Sequence, residues 1–116
     1  MTSSVVQKRG EIWFVDFSPT VGHEQSGLRP CVIVSANPFN SSPAGLVIVC
    51  PMTTRNRNIP AHVRLEIGEG GLREVNFVKT DNVRSISKER LKNRVGTVAP
   101  SSLTRIDQCL RFLLAL

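Results

Sequence analysis

The 116 residues predict a mainly β domain of the α+β class, a small β-barrel with one C-terminal α-helix packed on it. Three observations lead there. Short β-branched and aromatic runs recur at close spacing, glycine- and proline-rich breaks separate them, and only the last segment carries a helical period.

Residues 11–17 mix Ile12, Trp13, Phe14, Val15 and Phe17 with two acids, which predicts a first strand ended by Ser18-Pro19-Thr20. Residues 21–27 then have glycine at both ends of a polar run, which is loop chemistry. Pro30 opens the run Cys31-Val32-Ile33-Val34, and residues 46–50 make a third apolar run; both are short enough to be strands buried on two faces. Residues 37–45, with two prolines and several Asn and Ser, read as a loop. Val63-Arg64-Leu65-Glu66-Ile67 alternates, and the Gly68 to Gly71 cluster turns the chain toward Val75-Asn76-Phe77-Val78, so a hairpin is expected. Residues 83–87 form another brief alternating stretch, residues 87–94 are basic and of helical character, and Gly96-Thr97-Val98 offers a last strand.

The helix rests on Leu103, Ile106, Leu110, Leu113 and Leu114, at offsets 0, 3, 7, 10 and 11, with Arg105, Gln108 and Arg111 on other faces. Pro100 suits its first position. Ala99 would then be the cap, with no side-chain acceptor, so packing of the leucines is expected to hold this helix and to bury the apolar tail from Phe112 to Leu116.

Length and 41% hydrophobic content fit one domain spanning residues 1–116, with no room for a second catalytic domain. Fifteen Lys and Arg against nine Asp and Glu give a net charge of +6 and a pI near 10.1, which favours a polyanion or an acidic protein as partner. Three widely spaced cysteines argue for buried thiols in a reducing compartment. No signal-type segment and no run of membrane-spanning length is visible, which predicts a cytoplasmic protein that meets no membrane.

His23, Cys31, Cys50, His62 and Cys109 show no metal-ligand spacing, and no P-loop or dinucleotide fingerprint occurs, so no metal and no cofactor is expected. What remains is a polar loop. His23-Glu24-Gln25-Ser26-Gly27-Leu28-Arg29-Pro30 brings an imidazole, a carboxylate and a guanidinium together just before a strand, groups suited to a phosphodiester. Thr53-Thr54-Arg55-Asn56-Arg57-Asn58 adds hydroxyls, guanidiniums and amides without an acid, a composition for phosphate oxygens and base edges. Residues 79–94 contribute six basic residues against Asp81 and Glu89. Among few aromatics, Phe39 is the stacking candidate.

Read in order, Arg9-Gly10-Glu11-Ile12-Trp13, Asp16-Phe17-Ser18-Pro19-Thr20, Gly22-His23-Glu24-Gln25, Arg29-Pro30 and Pro51-Met52-Thr53-Thr54 resemble the MazF/PemK/Kid toxins. The resemblance continues through Asp81-Asn82-Val83-Arg84-Ser85-Ile86-Ser87 and Gly96-Thr97-Val98-Ala99-Pro100, and so covers nearly the whole chain. It implies an SH3-like barrel and a homodimeric, metal-independent endoribonuclease, the toxin of a type II toxin–antitoxin pair. Such a toxin cuts single-stranded RNA to 2′,3′-cyclic phosphate and 5′-hydroxyl ends.

By the same resemblance, the MazF branch assigns catalysis to Arg29 and Thr53, with Glu24 functional, whereas the Kid branch assigns it to His23 and Asp81. Lys79 stands where the Kid branch has arginine, and Asn82 where the family often has glutamine. The general base stays open among Glu24, His23 and Asp81. RNA contacts are expected from Gln25, Leu28, Thr54, Arg55, Asn56, Arg57, Lys79 and Arg84. The implied partners are RNA, a second copy and an antitoxin with an acidic, partly disordered C-terminal segment; operator DNA is met only through the antitoxin complex. The alternative is a non-catalytic toxin of the same fold that binds a DNA topoisomerase or nucleic acid.

Overall fold

Residues 6–18 and 27–116 are described by a computed structural model. Seven strands, β1 (Glu11–Asp16), β2 (Leu28–Ile33), β3 (Leu46–Thr53), β4 (His62–Leu65), β5 (Asn76–Lys79), β6 (Arg84–Ser87) and β7 (Leu91–Thr97), pair antiparallel in the order β4-β5-β3-β2-β1-β7. β6 lies beside β3. Two α-helices, α1 (Asn37–Asn40) and α2 (Pro100–Leu114), and three short 3-10 turns, Glu69–Gly71, Thr80–Asn82 and Lys88–Arg90, complete the described elements.

Strand alternation explains where the core sits. Ile12, Val32, Cys50 and Met52 point to one face, where Val63, Leu65, Val78 and Ile106 of α2 join them; Trp13, Val15, Cys31, Ile33, Val47 and Val49 form a second cluster with Ile86. The central strands are buried on two faces, as their unbroken apolar runs predict. β3 holds the sheet together. It pairs with β2 on one side, and on the other with β6 through Leu46 to Val49 and with β5 through Met52 and Thr53.

The expected barrel does not close, because β4 and β7, the two ends of the strand order, do not pair with each other among the described residues. The turn Glu69–Gly71 lies against β7 instead, so tightly that a Cβ on Gly96 would come within 2.3 Å of the Gly70 carbonyl oxygen. Backbone contact at two glycines takes the place of a closing ladder.

Other departures have local causes. β2 begins two residues before Pro30, which is tolerated because pairing with β3 starts only at Cys31 and leaves that half of the strand an edge. The loop after β2 contains the single turn α1, pinned by Asn40, which is fully buried, accepts a hydrogen bond from the Ser35 hydroxyl and donates one to the Ser35 carbonyl at 3.0 Å. The basic stretch expected to be helical is a short 3-10 turn, Lys88–Arg90, followed by β7. Two register shifts against β1 disrupt the alternation of this strand, and Lys92 and Arg94 charge its edge, so its pattern looks unlike a strand.

α2 starts at Pro100 as expected, but leucine packing is not its sole support. Glu69 accepts the Ala99 backbone N–H at 3.0 Å, placing a carboxylate at the helix N-terminus where the cap itself has no acceptor. The tail is a further correction. Ile106 is buried and Leu103 and Leu110 partly so, yet Phe112 and Leu116 are each 85% exposed, and Leu113 and Leu114 are open as well. Among the described residues no helix is long and apolar enough to cross a membrane.

Candidate nucleic-acid site

The ends of β1, β2 and β3 meet at a groove of about 660 Å³. The β2–β3 ladder ends where Cys31 stands opposite Pro51, and beyond that end Arg29 of β2 and Thr53 of β3 come to the same hollow. Both line the groove, as do Thr54, Arg55, Arg57, Lys79 and Arg84. Five cations therefore face one hollow, and no carboxylate is among its described lining residues. Such a single-signed cleft concentrates field and attracts a polyanion.

Each part has a local reason to be there. Thr53 ends β3, and its Oγ1 accepts the backbone N–H of Arg55 at 3.1 Å, so the hydroxyl proton remains available to a phosphate oxygen. The Arg84 guanidinium lies 5.0 Å from the centre of the Phe17 ring, a cation–π contact that holds both in the wall. Asn76, which is buried and donates its side-chain amide to the Glu74 carbonyl, lies in the groove wall. Beside the first strand, Ser18 donates to the Asp16 carboxylate from its backbone N–H and its hydroxyl, which holds that carboxyl below its usual range. Arg90 donates to the carbonyls of Asp16 and Ser18 at 3.0 and 2.9 Å.

The other expected site residues are elsewhere. His23, Glu24 and Gln25 lie outside the described residues. Leu28 is exposed at the start of β2, opposite Asp16, and is not in the groove lining. Asn56 turns its side-chain oxygen to the Asn58 backbone N–H at 2.9 Å and is likewise outside the lining. Asp81 does not line the groove; its Oδ1 sits 3.1 Å from His62 Nε2. Phe39 belongs to α1, and the aromatic in the groove wall is Phe17.

Sequence reasoning passed over Phe17, Asn76, Asn82, Pro51 and Met52 as groove residues. Phe17 had a signal, since an aromatic at the end of a strand beside a polar loop is exposed to whatever the loop binds. The thiols of Cys31 and Cys50 are pushed up to about 12 by burial, which removes them as nucleophiles. Among the described residues, no group of three His, Cys, Asp or Glu side chains is placed to hold a metal ion.

Comparison with known proteins agrees with the fold. A family model described as "PemK-like, MazF-like toxin of type II toxin-antitoxin system" matches residues 8–114. Endoribonuclease MazF9 of Mycobacterium tuberculosis is 33% identical over 116 residues, covering 96% of this chain and 98% of its own. The crystal structure of MazF from Deinococcus radiodurans superposes with a TM-score of 0.82 at 28% identity, covering 97% of this chain and all of that one. An endoribonuclease from a mycobacterial species, solved in complex with its cognate antitoxin, gives a TM-score of 0.79 at 26% identity, covering 95% and 96% of the two chains. Matched along nearly its whole length in sequence and in fold, the chain belongs to the PemK-like, MazF-like toxin family of type II toxin–antitoxin systems.

Proposed function

We propose that this chain is an endoribonuclease toxin that cuts single-stranded RNA in the groove between β2 and β3, with no metal and no cofactor. The observation that carries this reading is that Arg29 and Thr53 line one cleft together with four further cations. Endoribonuclease names among the relatives support it, and they lend nothing to a non-catalytic, topoisomerase-binding alternative.

The chemistry uses the substrate's own nucleophile. The 2′-oxygen loses its proton to a base and attacks the adjacent phosphorus; the P–O5′ bond breaks, and the departing oxygen takes up a proton, leaving a 2′,3′-cyclic phosphate and a 5′-hydroxyl. The planar guanidinium of Arg29 meets the extra charge on the crowded phosphate, and Thr53 donates its hydroxyl to a non-bridging oxygen. Glu24 or His23 serves as the base. Arg55, Arg57, Lys79 and Arg84 hold flanking phosphates, and Phe17 offers a ring for a base to stack on.

Two protein partners complete the reading. An antitoxin with an acidic segment competes with RNA for the groove by charge complementarity. A second copy of the chain covers the exposed end of α2, next to a hollow of about 350 Å³ lined by Val34, Ile48, Val83, Leu110, Leu114 and Leu116 together with Arg9, Asp107 and Arg111. The whole chain acts as a single cytoplasmic domain.

Incubation of the purified protein with single-stranded RNA in excess chelator, with the ends mapped, tests the activity. Cutting that leaves 5′-hydroxyl ends, and that is lost in Arg29→Ala and Thr53→Ala, is the expected result. Intact RNA with wild type, or equal cutting by both variants, overturns the reading.

A further inference from the structure

His62 and Asp81 form a contact beside the groove-lining Lys79 and Asn82 that the catalytic assignment leaves unused. His62 opens β4 opposite Lys79 of β5, and its side chain is only 4% exposed. Its Nε2 lies 3.1 Å from Asp81 Oδ1, and the same oxygen accepts the Asn82 side-chain amide at 3.1 Å. Its Nδ1 is buried with no hydrogen-bond partner among the described residues. An ionised carboxylate has no hydrogen to donate, so the ring nitrogen that bonds Asp81, Nε2, is the one that carries a hydrogen.

The chain between these residues is tied down in the same place. Thr80 is fully buried, and its hydroxyl donates to the Ala61 carbonyl at 2.6 Å, with its backbone N–H reaching the same oxygen at 3.4 Å. Residues 79–82 are thereby fastened to Ala61 and His62. Lys79 and Asn82, at the two ends of that segment, line the groove, while Thr80 and Asp81 between them do not. The fastening therefore determines where two groove residues stand.

We propose that His62 is a positioning residue for RNA, acting through Asp81, and that Asp81 is a positioning residue and not the acid or base of the reaction. The proposal rests on the RNA-cleaving reading. Held by the imidazole outside the groove lining, the carboxylate orients Asn82 and Lys79. A residue that only positions binding groups acts on KM more than on kcat.

Steady-state cleavage of single-stranded RNA by wild type, His62→Ala, His62→Gln, Asp81→Ala, Asp81→Asn and the double alanine variant tests this, with binding of a 2′-O-methyl RNA of the same sequence measured in parallel. The two alanine variants are expected to raise KM and weaken 2′-O-methyl RNA binding about 10-fold, with kcat within about threefold. The double variant is no worse than the poorer single one, since both remove one contact. Asp81→Asn keeps an oxygen acceptor and His62→Gln keeps an N–H donor, so both recover most of the loss, and Asp81→Asn leaves the pH profile of kcat unchanged.

A kcat loss of about 100-fold or a missing limb of the pH profile in Asp81→Asn makes Asp81 an acid–base group and overturns the proposal. Unchanged KM and binding in the alanine variants also overturns it. If wild type binds 2′-O-methyl RNA but cuts no RNA, the activity reading fails, and the variants' binding alone decides the positioning role. Absence of any RNA binding by wild type overturns both. Should the alanine variants not fold, the Asn and Gln variants decide the same question through KM and the pH profile.

Discussion

The groove and the last turn of α2 are both open to solvent, yet one presents five cations and the other four apolar side chains, Phe112, Leu113, Leu114 and Leu116. Charge acts over about a Debye length and asks little of its partner's shape, which suits a flexible polyanion. Apolar surface acts only on contact and asks for a complementary face, which suits a folded partner. The same helix supplies both outcomes within itself: Ser102 and Ile106 are buried, whereas the final turn stays largely open among the described residues. Exposure alone therefore says little; the chemistry of the exposed groups separates a nucleic-acid surface from a protein surface.

The largest expected effect breaks the groove. Arg29→Ala lowers single-turnover cleavage by about 10²–10³-fold, and Arg29→Lys restores little of it, because a point charge cannot reproduce the planar two-donor contact. Full activity in Arg29→Lys would reduce the groove to mere positive potential. Next, Phe112→Glu combined with Leu116→Glu weakens self-association at least about 10-fold in sedimentation equilibrium, as expected from two side chains worth about 1.5–3 kcal/mol when covered. An unchanged molecular mass would remove the tail from the dimer contact.

Smaller effects sharpen what lies between the two surfaces. Glu69→Ala removes the acceptor at the start of α2 and costs about 1 kcal/mol in urea unfolding; no shift in midpoint would return the whole support of the helix to its packing. A last effect concerns alkali. Cys31 and Cys50, pushed up to about 12 by burial, stay protonated in the fold while the unfolded chain ionises near 9, so stability is level below about pH 9 and falls as pH rises beyond it. In the native protein at pH 8, a thiol reagent should find Cys109 first, with Cys31 and Cys50 reacting only after denaturation.

Much of the fold was legible. The β-branched run of the first strand, the hairpin around the glycine cluster and the leucine period of α2 each mark an element whose burial depends on its own spacing. β7 was legible only at its end, Gly96-Thr97, because Lys, Asn and Arg on its bulged edge erase the alternation that marks a half-buried strand. The barrel expectation failed for a non-local reason, since whether β4 and β7 pair depends on what the glycine turn between β4 and β5 does on arrival at β7.

The site was legible as composition and not as geometry. Arg29, Thr53, Thr54, Arg55, Arg57, Lys79 and Arg84 could be singled out from the sequence, and they come to one groove. Phe17 joins them only because β1 ends there, and Asp81 leaves them only because His62, 19 residues earlier, reaches it across a strand pair.

By itself, then, the sequence determined the strand and helix inventory, the positive charge, the family motifs and the identities of the phosphate-binding groups, all of which are local properties of short segments. Only the tertiary structure decided that the sheet stays open, that Glu69 caps a helix 30 residues away, that the tail faces solvent, and which polar residues look into the groove. Those outcomes depend on contacts between segments distant in the chain, and no spacing within one segment encodes which of two equally polar side chains finds a partner outside the groove lining.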